Sequence, residues 1–80
     1  MQIKLLAFGI AKDILGGATV DMALNEQPTV GDLRNELTER YPGLKRLKSF
    51  MIAVNNNYAQ DEQVLTATDE IAIIPPVSGG

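Results

Sequence analysis

The sequence predicts an α+β fold: a mixed sheet with one main helix lying across one of its faces. Three observations predict it. Alternating apolar residues mark strands at both ends of the 80-residue chain. A central stretch, 29–41, carries helical periodicity and a start signal. The rest is short strand-length runs and turn residues, with no repeat, low-complexity tract or linker, so one small domain is expected.

Gln2 to Phe8 reads as the first strand. Ile3, Leu5 and Ala7 fall on one face, and Gln2, Lys4, Leu6 and Phe8 on the other. Gly9 to Gly17 reads as a connection. Ile10, Ile14 and Leu15 give it something to bury, and Gly16-Gly17 permits a sharp turn. Ala18 to Leu24 is a second strand, with Ala18, Val20, Met22 and Leu24 on its apolar side. Its spacing from the first suggests an antiparallel hairpin with a wide loop, ended by Gln27-Pro28.

Thr29 to Tyr41 is the main helix. Thr29 can cap it, with Asp32 three residues on as in a capping box. Val30, Leu33, Leu37 and Tyr41 share one stripe, and Pro42-Gly43 stops the helix. Leu44, Leu47 and Phe50 suggest a short irregular or 3₁₀ piece, with Lys45, Arg46 and Lys48 pointing outward. Met51 to Val54 is a short strand, Asn55-Asn56-Asn57 a turn, and Tyr58 to Gln60 a very short strand. Val64 and Leu65 return to the core, and Thr68-Asp69 turns the chain into the last strand, Glu70 to Ile74. Crossover handedness favours placing that strand beside the first and parallel to it. The expected arrangement is the β-grasp, or ubiquitin-like, fold, with residues 1–75 as its domain and residues 76–80 as a flexible tail.

The tail leaves in a distinctive way. Pro75-Pro76 removes two backbone donors, so pairing stops and a stiff extended stalk follows. Val77 and Ser78 lead to Gly79-Gly80, which lack a Cβ and admit close approach by another backbone or a narrow channel. A frayed terminus is the bland alternative. If the helix covers Ile3, Leu5, Val20, Ile71 and Ile73, then Leu6, Phe8, Ala72 and Ile74 lie on the opposite face, with Tyr58 nearby. An apolar cluster on the wet side of a small domain marks a partner surface, here at the base of the stalk. Alternatively, Phe8 folds over an edge, or 9–17 covers the patch.

Composition narrows the chemistry. With no cysteine and no histidine, disulfides, thiolate nucleophiles, Cys or His metal sites and imidazole catalysis are excluded. A net charge of -3 argues against a nucleic-acid or anionic-membrane binder. No apolar run approaches bilayer length and no signal segment opens the chain, so the expected location is the cytoplasm. Asp61-Glu62 and Asp69-Glu70 read as solvated turn residues, Arg40, Lys45, Arg46 and Lys48 as a solvated basic face, and the glycines form no phosphate cradle.

The ending Pro75-Pro76-Val77-Ser78-Gly79-Gly80 resembles the tail of the small subunits of molybdopterin synthase, the MoaD-like branch of the ubiquitin-like sulfur carriers. Weaker matches support it: Ile3-Lys4-Leu5-Leu6-Ala7-Phe8, Thr29-Val30 with Leu33 and Leu37, Val54-Asn55, and Leu65 with Asp69-Glu70. The chain departs from the family pattern at Ile10-Ala11-Lys12-Asp13-Ile14, where an arginine is common. Further departures are Ala67-Thr68-Asp69, where a glycine turn is common, and Ile73-Ile74, where aromatics are common.

The resemblance implies a carrier that binds no cofactor and is not catalytic alone. A ubiquitin-activating-like adenylyltransferase would adenylate Gly80 with ATP, and a sulfur donor enzyme would leave a terminal thiocarboxylate there. Gly79-Gly80 would then enter the large catalytic subunit of a heterotetrameric synthase to pass sulfur to a pterin precursor. Phe8, Leu6, Tyr58, Ile74, Pro75, Pro76, Val77 and Ser78 would contact that partner. Neither nucleic acid nor membrane is implied. Alternatives are a carrier for thiamine or tungsten-cofactor synthesis, a protein modifier, and a ubiquitin-like adaptor with an inert tail.

Overall fold

The computed structural model describes residues 1–47 and 50–75. Five strands and two helices follow one another as β1 (Gln2–Ala7), α1 (Ile10–Leu15), β2 (Thr19–Ala23), α2 (Val30–Arg40), β3 (Met51–Val54), β4 (Asn57–Tyr58) and β5 (Ile71–Ile74), with a 3₁₀ turn at Pro42–Arg46. The strands form one mixed sheet in the order β2-β1-β5-β3-β4. β1 and β2 are antiparallel, with Ile3 opposite Met22 and Leu5 opposite Val20. β5 lies parallel to β1, with Leu5 opposite Ile71 and Ala7 opposite Ile73. β3 is antiparallel to β5. A hairpin, a helical crossover and a central parallel pair make this the β-grasp arrangement expected from the sequence.

The main helix forms for the reasons its sequence offers. The Thr29 side-chain oxygen accepts from the Asp32 backbone N–H at 3.1 Å, and the Thr29 N–H donates to the Asp32 carboxylate at 2.9 Å. Two orphan donors are thereby satisfied at the helix start. Val30, Leu33 and Leu37 are fully buried in one cluster with Ile3, Leu5, Met22, Ile52, Ile71 and Ile73. Arg34 ties the helix to the start of β3. Its guanidinium donates to the Phe50 carbonyl at 2.9 Å, sits 5.0 Å from the Phe50 ring centroid and pairs with Asp61 at 3.3 Å.

Several expectations are corrected. The 9–17 connection contains the short helix α1, which buries Ala11 and Leu15 but leaves Ile10 51% exposed. Ala11 and Leu15, four residues apart, share the inward face of this helix, which turns Ile10 toward solvent. In β2 only Met22 is fully buried; Val20 and Leu24 are half-buried and Ala18 is exposed, as befits an edge strand reached only in part by the core. Leu65 is buried as expected, but Val64 is exposed, because alternation at its bridge to Thr29 turns the two to opposite sides. The short strand after the asparagine turn is Asn57–Tyr58, not 58–60, although the Ala59 N–H still donates to the Ile52 carbonyl. The asparagine turn itself holds: Asn55 and Asn56 take positive φ, 53° and 70°.

Candidate functional site: the uncovered sheet face

β-strand alternation sorts the sheet into two faces. Ile3, Leu5 and Ala7 of β1 and Ile71 and Ile73 of β5 point into the core, so Lys4, Leu6, Ala72 and Ile74 point the other way, with Phe8 just beyond β1. The register places Leu6 beside Ala72, Ala72 beside Ala53, and Ala53 beside Tyr58. Met51 stands opposite Ile74. Together Leu6, Phe8, Ala53, Tyr58, Ala72 and Ile74 line a depression of about 310 Å³, with Asn56 and Glu70 on its polar side. Phe8 is 53% exposed, Tyr58 68% and Met51 43%. Neither helix covers this face, and α1 does not fold over Phe8. Of the readings open in the sequence, the structure takes the exposed one.

The sequence-predicted residues Leu6, Phe8, Tyr58 and Ile74 are brought together here. Met51, Ala53, Asn56 and Glu70 belong to the same surface and were missed. The signal for Met51 and Ala53 was present, since burying Ile52 and Val54 turns their neighbours outward. Glu70 carried the same signal, being two residues before Ala72 in the strand expected from Glu70 to Ile74, although the observed β5 starts at Ile71. Asn56 carried none, because its place depends on the turn between β3 and β4.

β5 runs out of this face toward the chain end. At its exit Gly9 has a positive φ of 56°, and a Cβ there would lie 3.4 Å from Pro75 Cγ. The base of the stalk therefore packs against bare backbone at the β1–α1 junction. Pro76, Val77, Ser78, Gly79 and Gly80, assigned to the site from sequence, lie outside the described residues, as does Lys48.

The far end of the same face is pinned by a small network. The Asn55 side-chain amide donates to Asp69 at 3.0 Å, and the Thr66 N–H donates to the other Asp69 oxygen at 2.9 Å. Asn55 and Glu70 also exchange two hydrogen bonds, Asn55 N–H to the Glu70 carbonyl and Glu70 N–H to the Asn55 side-chain oxygen. The backbone N–H of Thr66, with the Asn55 amide second, holds the Asp69 carboxyl below the usual carboxylate range, against a smaller opposing effect of burial. Asp61 is engaged by Arg34, and Arg40 by Glu36 at 3.2 Å. Among the described residues no cluster of three or more His, Cys, Asp or Glu is arranged to hold a metal. No helix among them is long and apolar enough to cross a membrane.

A β-grasp sheet with one helix across it and an apolar face left open defines a ubiquitin-like domain. The chain belongs to the ThiS family, whose model matches residues 5–80. The molybdopterin synthase sulfur carrier subunit of Caenorhabditis elegans is 36% identical over 83 residues, which span all of this chain and 99% of that protein. Among solved structures, SAMP1 from Haloferax volcanii is similar with a TM-score of 0.83 and 27% identity, each chain covered completely. A chain in the complex of subunits 1 and 2 of molybdopterin-converting factor from Helicobacter pylori is similar with a TM-score of 0.70 and 28% identity, again with full coverage of both.

Proposed function

We propose that this chain is the sulfur-carrier subunit of a molybdopterin synthase, with residues 1–75 as the docking body and 76–80 as the reactive tail. The observation that carries the reading is the open apolar face of Phe8, Leu6, Tyr58 and Ile74, which runs directly into the stalk. Support comes from the sulfur-carrier relatives and from the subunit complex that a similar chain forms. A C-terminal carboxylate is ionised at neutral pH and is a poor electrophile. Attack of the Gly80 carboxylate on the α-phosphorus of ATP, in an activating enzyme, gives an acyl adenylate and pyrophosphate. The outer sulfur of a donor persulfide then attacks the carbonyl carbon and expels AMP. A second thiol cleaves the resulting sulfur–sulfur bond, leaving a thiocarboxylate on Gly80 and a disulfide on the enzyme. The thiocarboxylate is the nucleophile, and the large subunit supplies acids and bases and binds the pterin precursor. Pro76, Val77 and Ser78 span the entrance, and Gly79 threads without a side chain. The assembly is a heterotetramer in the cytoplasm, and the chain itself binds no cofactor.

Intact mass tests this. Incubation with ATP, the activating enzyme and a sulfur donor should add the difference between sulfur and oxygen to the C-terminal fragment. An unchanged mass with an activator proven competent on another carrier would refute it. The likeness to SAMP1, a small archaeal modifier protein, favours a second reading, a protein modifier, in which a lysine amine attacks the same adenylate and expels AMP. That reading predicts isopeptide-linked conjugates at Gly80 in cells, and their absence alongside a thiocarboxylate decides against it.

A further inference from the structure

The open face is not uniformly apolar, and its polarity has a direction. Nearest the stalk stand Phe8, Ile74 and Met51; next come Leu6, Ala72, Ala53 and Tyr58. Farthest from the stalk is a charged row, Asp21 opposite Lys4 on the neighbouring strand, with Glu70 just before β5 on the other side. Glu70 lines the apolar depression and also the adjoining one formed by Lys4, Leu6, Thr68 and Asp69. Its backbone is fixed on both sides by Asn55, at 2.9 Å through its N–H and 2.8 Å through its carbonyl. Its side chain is not used by the fold. Among the described residues the ion pairs are Arg34–Asp61 and Arg40–Glu36, and the Glu70 carboxylate accepts no hydrogen bond. Neighbouring Asp69, by contrast, is fully engaged by Asn55 and Thr66.

We infer that Glu70 is the charged specificity determinant of the docking face and receives a cationic side chain, arginine or lysine, from the partner surface. The inference rests on the docking reading above. Closing a partner over the depression removes water from a carboxylate on its rim. An unpaired charge left there is costly, whereas a hydrogen-bonded cation offsets the loss and fixes register. The occupant's chemistry follows: apolar side chains over Phe8, Ile74 and Leu6, with a cation two strand positions farther from the stalk. Arginine suits the site best, since its planar group can engage the carboxylate while stacking on the exposed Tyr58 ring. Lys4 lines the adjoining depression with Glu70, but among the described residues it forms an ion pair with neither Glu70 nor Asp21, so the Glu70 carboxylate stays open to a cation from the partner.

The test measures binding of the full chain to the large subunit of molybdopterin synthase from the same source, by calorimetry at low and high salt. Glu70→Gln should weaken binding roughly ten-fold and Glu70→Lys further, with both losses shrinking as salt rises. Thermal unfolding should be unchanged in both, because the side chain holds nothing. Phe8→Asp serves as the control on the docking face. Weak binding by Phe8→Asp with wild-type or tighter binding by Glu70→Lys overturns the role of Glu70 and leaves the docking reading standing. Normal binding by Phe8→Asp overturns the docking reading itself. Restoration of Glu70→Lys binding by an arginine-to-glutamate change on the partner identifies the paired cation.

Discussion

Phe8→Ala separates docking from folding, and its size follows from the structure. A phenylalanine side chain presents on the order of 200 Å². Phe8 is 53% exposed, so about 100 Å² is available to a partner. At about 25 cal/mol per Å², covering it contributes about 2.5 kcal/mol, or roughly 70-fold in affinity. Leu5, its neighbour three positions earlier, is fully buried, and Leu5→Ala should instead cost about 2–5 kcal/mol of stability. Calorimetric titration of each variant into the large subunit, beside urea unfolding, reads both quantities. Phe8→Ala should lose affinity with little change in unfolding midpoint. Affinity within two-fold of wild type would refute the reasoning, because it would show that Phe8 is not an anchor of the docking face.

Other consequences are local. Gly9→Ala puts a Cβ at a positive-φ position, so backbone strain at the base of the stalk should destabilise by about 1–3 kcal/mol and slow sulfur transfer more than it weakens docking. Denaturant melts and single-turnover transfer check the two halves. Asp69, whose folded pKa is depressed, contributes stability that is present above its ordinary pKa of about 3.9 and is lost as pH falls through the lower folded value. Asp69→Ala should therefore lower stability at neutral pH, by about 0.5–1 kcal/mol because its hydrogen bonds are open to solvent, and flatten the acid limb of the stability curve. An unchanged acid limb would show that the Asn55–Asp69–Thr66 network is not what holds that end of the sheet.

Much of this molecule could be read from residue order, and the failures share a cause. The main helix was legible because Thr29 and Asp32 act within four residues and Val30, Leu33 and Leu37 repeat on one side. β1, β3 and the parallel placement of β5 followed from alternation and crossover handedness. Phe8 and Leu6 could be assigned to the open face once the helix was assigned to the other. What escaped depended on distant partners. α1 is only six residues long and its burial pattern is set by the core beneath it, so Ala11 took the place expected for Ile10. Val64, expected in the core beside Leu65, is turned outward at its bridge to Thr29 while Leu65 stays buried. Glu70 reads in sequence both as a solvated turn residue and as the first residue of the last strand; alternation puts it on the open face, and the β3–β5 register with the Asn55 hydrogen bonds sets it on the rim of the depression.

In the proposed carrier a body docks and a tail reacts at Gly80, and removing Gly79-Gly80 measures that division of labour most directly. The shortened chain should fold normally and bind the large subunit as tightly as wild type, yet deliver no sulfur in a reconstituted reaction. Sulfur delivery by the shortened chain at the wild-type rate would contradict it.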